Sequence, residues 1–330
     1  PTRRSSDLFF IEYIMDLIKV YCFDYFAENL TRIKFFLSYK VNKEDPKSLF
    51  DTSIEIFIYG AVYCFYIHHQ IYNYDYYINR YPDVKNAYGD NKRQVLAHFV
   101  NYGMKGGRQG NAEFNVTSYR YRYQDLRIAY EMDLKKYYLH YINYGKKAGR
   151  IATGTTTLQS PVTKLNGVDY SAVYNYNYYI NKYADIKNAY GDNDVAILRH
   201  FVNYGMKSGR QGNASFNVTS YRYKYQDLRV AYGSDLKAYY IHYINYGKKA
   251  GRIATGTTTL QNPVTKLNGV DYSAVYNYDY YISKYSDVRH SYGGDDIATL
   301  RHFVTYGMKG GRQGNTSFNV TSYRYKYQDL

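Results

Sequence analysis

The chain has 330 residues, of which 49 are Tyr and none Trp, and a formal net charge of +15. Its two cysteines, Cys22 and Cys64, lie outside the repetitive part, so that part is not a disulfide-built scaffold, and the apolar run 54–67 is too short to span a membrane. Residues 1–70 hold 8 Lys/Arg against 9 Asp/Glu, so the positive excess belongs to the rest of the chain and favours anionic partners.

Residues 1–8 resemble the translated end of a short-read sequencing adapter and read as foreign sequence, with the native N-terminus missing. In 9–27, Glu12, Asp16 and Lys19 at i, i+4 and i+7 predict an amphipathic helix. Asp45-Pro46 marks a break, and 54–67 is a second apolar segment, helix or strand. Repetition starts abruptly at Tyr72, so 9–71 is either a capping element or a chimeric join.

From Tyr72 the sequence copies itself. His98 to Arg108 returns as His140 to Arg150, His200 to Arg210, His242 to Arg252 and His302 to Arg312, sharing H-[FY]-[VI]-[NT]-Y-G-x-K-x-G-R. A spacing of 42 residues separates unlike halves, A and B, and 102 residues separate nearly verbatim units. The half-repeats are 72–112, 113–154, 174–214, 215–256 and 276–316, with linkers 155–173 and 257–275. Residues 317–330 read as a truncated half, so the native C-terminus is expected further on.

Small polar residues stand eight apart at Asp75, Asp83 and Asn91, at Thr117, Asp125 and Asp133, and at Asn177, Asp185 and Asn193. Read as N-caps, they predict three helices per half, over roughly 76–82, 84–88 and 92–102 in the first. Gly89 should stop the second helix, and Gly103 should be the left-handed residue just past the third. Leu96, Phe99, Val100 and Gly103 share one stripe of the third helix, with Tyr77, Tyr81, Val84 and Tyr88 closing over it. So small a half must lean on its neighbour. The expected fold class is all-α, in tandem three-helix half-repeats. The Thr-rich linker, with Pro161 and Asn166-Gly167, is either a small hairpin or an extended connection.

The recurring His has no second His at ligand spacing and no Cys nearby, which makes a poor zinc site. No Ser or Cys nucleophile recurs with it. The simpler reading is a His hydrogen-bonded to the neighbouring helix. The recurring Asp lacks a calcium-loop pattern, and Thr117 is read as a cap rather than part of a glycosylation acceptor. No catalytic residue, metal or cofactor is assigned.

The Y-x-D-[VIL]-[KR]-x-x-Y run (Tyr81 to Tyr88, Tyr123 to Tyr130, Tyr183 to Tyr190) followed by the His-to-Arg run resembles tandem repeats of secreted and cell-wall-associated proteins of Gram-positive gut anaerobes, often found beside peptidoglycan-cleaving domains. More distantly it is similar to repeats of bacterial surface and haemolysin-like proteins. The resemblance covers 72–330 and implies an extracellular accessory module. Where relatives often carry Glu before Gly-Arg, this chain has Gly106, Ala148, Ser208, Ala250 and Gly310, which raises its positive charge.

Both halves keep Tyr102/Tyr144, Lys105/Lys147 and Arg108/Arg150, and later copies supply Tyr204, Lys207 and Arg210, Tyr246, Lys249 and Arg252, and Tyr306, Lys309 and Arg312. These corners are the candidate ligand sites. The expected partner is a cell-wall glycan or anionic wall polymer, bound through avidity. A ligand-free spacer is the alternative reading. Nucleic acid ranks last, because no signature for it is present.

Overall fold

The structure is a computed structural model that describes residues 70–328. The helix expected over 9–27 and the apolar segment 54–67 lie outside them. The described part is all-α apart from two small hairpins.

The first A half has α1 (Tyr74–Arg80), α2 (Pro82–Tyr88) and α3 (Lys92–His98), which runs into a π-turn, Phe99–Gly103. The first B half repeats this as α4 (Val116–Arg122), α5 (Gln124–Tyr130) and α6 (Leu134–His140), with the π-turn Tyr141–Gly145. Hairpin β1 (Lys164–Leu165) and β2 (Val168–Asp169) follows. The next pair of halves contains α7 (Tyr176–Lys182), α8 (Ala184–Tyr190), α9 (Asp194–His200), α10 (Val218–Lys224), α11 (Gln226–Tyr232) and α12 (Leu236–His242). Hairpin β3 (Lys266–Leu267) and β4 (Val270–Asp271) leads to α13 (Tyr278–Lys284), α14 (Ser286–Tyr292), α15 (Asp296–His302) and α16 (Val320–Lys326). Each hairpin turns on an Asn-Gly pair with positive φ at both residues, 50° and 80° at Asn166 and Gly167, as a two-residue primed turn requires. The linker is therefore a hairpin, not an extended connection.

The first two helices of the first half start two residues earlier than expected, and the third starts where expected. Asn73, Asn115, Asn175, Asn217, Asn277 and Asn319 cap the first helix of each half, each accepting from the amide three residues on. Asp75, Thr117 and Asn177 lie inside the helix and are not its caps. The second helix starts at Tyr81 or its equivalents without a side-chain cap. Asp83, Asp125 and Asp185 belong to its first turn instead. At the third helix Asn91 and Asn193 do cap, while Asp133 sits at the cap position without that bond.

The stop signals divide similarly. Gly89 ends α2 with φ of 54°, as expected. Gly103 is not left-handed. It lies inside the π-turn, and a Cβ there would come 2.6 Å from the Tyr77 hydroxyl. The left-handed residue is Gly107, with φ of 71°. The Arg108 amide returns to the Gly103 carbonyl at 2.8 Å and the Gly107 amide to Met104, which is a Schellman closure. All five copies end this way, at Gly149, Gly209, Gly251 and Gly311 as well.

The described residues divide into two compact units between Pro161 and Val162. In the first, one core runs through both halves and includes the fully buried Tyr77, Phe99, Phe114, Tyr119 and Tyr138. The predicted stripe is shared out: Phe99 is buried, whereas Leu96 and Val100 are partly buried. Tyr138 crosses from the B half to meet Phe99 edge-on at 5.9 Å, and its hydroxyl donates to the Arg108 carbonyl. The A and B halves thus fill one core, as their small size demands.

Inside the second unit a buried arginine ties a B half to the next A half. Arg229 on α11 donates to four carbonyls, of Arg222, Tyr223, Gln261 and Asn262. Its Nε meets the Asp296 carboxylate at 3.1 Å, both side chains being 1% exposed. Asp296 opens α15 and also accepts from the Val264 amide.

Candidate functional site

The helices bring the same side chains together in every copy, and the first A half serves to describe them. Tyr77 lies on α1, Asp83 and Tyr88 on α2, and His98 closes α3. Tyr102 follows in the π-turn, a wider helical turn that recurs at functional sites. Arg108 is the first residue past the left-handed Gly107.

Tyr77 Oη and His98 Nδ1 are 3.2 Å apart, and the four other copies span 2.9–3.3 Å. His98 does bond the neighbouring helix. Its ring is also flanked by Tyr88 at 5.6 Å and Tyr102 at 5.8 Å between centroids. Burial, then the Arg108 charge, pushes the His98 imidazole below its ordinary pKa, with Asp83 opposing. Burial raises the Tyr77 phenol, and the Arg108 cation acts on it in the opposite direction. A guanidinium beside that oxygen leaves the phenol to donate to Nδ1. The contact suits a neutral imidazole that accepts at Nδ1 and carries its proton on Nε2.

Arg108 is committed within the protein. Its guanidinium grips Asp83 at 2.7 and 3.0 Å, a bidentate pair, and lies 4.8 Å above the Tyr81 ring. The Tyr81 hydroxyl in turn accepts from the Gln109 amide at 2.8 Å. Arg150, Arg210, Arg252 and Arg312 pair likewise with Asp125, Asp185, Asp227 and Asp287. The recurring Asp therefore holds an arginine rather than a helix end. The sequence carries a trace of this pair, a constant 25-residue spacing between Asp and Arg in all five copies, but spacing alone does not separate it from a helix cap.

Of the three side chains expected at each corner, two face outward. Tyr102, Tyr144, Tyr204, Tyr246 and Tyr306 are 66–68% exposed, nearly identical in all five. Lys105, Lys147, Lys207, Lys249 and Lys309 are exposed too, and no described acidic side chain pairs with them. The third, Arg108 and its equivalents, is half-buried in its ion pair and leaves no net charge there. The side chains that spacing alone did not single out are Tyr88, beside the His, and Asp83 as partner to Arg108.

The arrangement offers an aromatic face, an imidazole edge and an exposed Lys ammonium in each of the five copies, with a second Lys beside it in the B halves. Among the described residues no group of three or more His, Cys, Asp or Glu side chains could hold a metal ion. No described helix is long and apolar enough to cross a membrane. No family model matches the sequence, and neither a curated protein nor a solved structure matches it.

Proposed function

We propose that the repeats are a non-catalytic, extracellular binding module that holds a partner domain, such as a wall hydrolase, at the bacterial cell envelope. The observation that carries this reading is the five-fold recurrence of an exposed tyrosine whose ring rests on a histidine fixed from behind. Ordered aromatic rings bind at low entropic cost, and weak sites on one chain gain from each other only against a repetitive ligand. The resemblance to wall-associated repeats and the positive charge point the same way.

The test is retention of the full chain on purified cell walls, with the exposed tyrosines changed to Leu one after another. Retention should fall steeply as intact sites drop from five to one, by about a hundredfold or more overall. A second reading, a spacer without a ligand, is favoured by the buried Arg229–Asp296 pair, which stiffens the chain without serving any exposed site. Absence of wall retention by the wild-type chain would select the spacer.

A further inference from the structure

We infer that each Tyr102-type ring is a stacking platform for one pyranose unit of a glycan, and that the ligand is recognised by its sugar faces rather than by negative charge. This rests on the envelope-binding reading above and narrows its ligand to one class.

The argument starts from where the charges go. An anionic polymer would be read by cations that are free to meet it. Of the two cations at each corner, Arg108 is closed onto Asp83 in a two-point pair and packed on Tyr81. Two of its donors are taken by the Asp carboxylate, which also cancels its charge. The same is true of Arg150, Arg210, Arg252 and Arg312. What remains is one flexible Lys ammonium at each A-half corner, joined in the B halves by Lys146, which pairs with Glu113, or by the exposed Lys248; the attraction of such ammoniums falls off within about 10 Å at 0.1 M salt.

The aromatic side is built differently. Tyr102 is mostly exposed, yet its ring is set against His98. His98 is itself pinned by its bond to Tyr77 and by the Tyr88 ring. No described residue offers the Tyr102 hydroxyl a hydrogen bond. The ring is therefore held by a neighbour on the protein side while most of it meets water, and the same contact recurs in all five copies. The axial C–H face of a pyranose is apolar and fits a phenol face, while its rim of hydroxyls needs hydrogen-bonding partners. The Tyr hydroxyl, the neighbouring His98 imidazole and the exposed Lys105, three residues on, are the groups of the corner that can supply them. His98 serves here as a neutral donor, in keeping with its lowered affinity for a second proton.

Three forms of the full chain separate the possibilities, each first checked for unchanged circular dichroism. In one, Tyr102, Tyr144, Tyr204, Tyr246 and Tyr306 become Leu; in the second the same five become Phe; in the third Lys105, Lys147, Lys207, Lys249 and Lys309 become Gln. The probes are wall glycan stripped of anionic polymer by acid, and soluble poly(glycerol phosphate). We expect wild type to bind the stripped glycan, at 0.1 M and at 0.5 M salt alike. The Leu form should lose about a hundredfold in retention, the Phe form should keep most of it, and the Gln form should stay within about threefold. Binding only to the polyphosphate, abolished by salt or by the Lys→Gln changes and indifferent to Tyr→Leu, would overturn this inference and leave envelope binding standing. Failure of wild type to bind either probe would overturn both.

Discussion

The imidazole of His98 lies between two phenol rings and is hydrogen-bonded to a third, and nothing around it rewards a second proton. Burial and the Arg108 cation lower its pKa, and Asp83, the only acid among the causes of the shift, is already engaged with that arginine. The same direction holds at His140, His200, His242 and His302. A folded pKa below the unfolded value means the unfolded chain takes up protons first as pH falls. The contribution is therefore fully present above about pH 6.5 and is lost as pH drops through the lower folded value. The Asp partners of the arginines have pKa values below the usual carboxylate range, so they withdraw their support only at more acidic pH. The melting temperature should accordingly decline between pH 7 and pH 5, before the carboxylates titrate. A flat profile over that interval would contradict the neutral, buried imidazole.

At the scale of the element, two glycines four residues apart carry different burdens. Gly103 is small because the Tyr77 hydroxyl occupies the space of a Cβ, whereas Gly107 is glycine because of its positive φ. Gly103→Ala should cost about 1–3 kcal/mol by overpacking and disturb the Tyr77–His98 bond. Gly107→Ala should cost about 1–2 kcal/mol through left-handed strain. Asn, which tolerates that conformation, should restore part of the loss at 107 and deepen it at 103; urea denaturation of the four variants measures this. The contrast shows how far the chain could be read without coordinates. Helix number, the Gly89 stop and the tyrosine lid follow from spacing and composition, because they depend on local periodicity. The true caps were hidden because Asn73 and Asp75 are both good cap residues, and only backbone geometry selects the first. The Asp83–Arg108 pair was hidden because a helix cap is a local explanation, and a partner 25 residues away is not. At the candidate corner the outward Tyr and Lys were legible, but the inward turn of Arg108 was not.

For the molecule as a whole, the net charge of +15 is not supplied by the corner arginines, since each of them is matched by an acid. Rigidity comes instead from the buried junction within the second unit. Removing one partner of a buried ion pair strands the other, so Asp296→Ala should destabilise that unit by about 3–5 kcal/mol. Loss of the exposed carboxylate in Asp287→Ala should have a much smaller effect, and thermal unfolding of the two variants side by side tests the ranking. The junction also constrains how such a chain can change length. In the A halves the counterpart of Arg229 is Lys187 or Arg289, both exposed, and in the B halves the counterpart of Asp296 is Leu134 or Leu236. A recombination step of one half would set a buried guanidinium against leucine, or put a buried carboxylate after a half whose Lys or Arg at that position is exposed rather than buried. Steps of a whole 102-residue pair preserve the match, so copy number can drift in natural variants while the order of halves cannot.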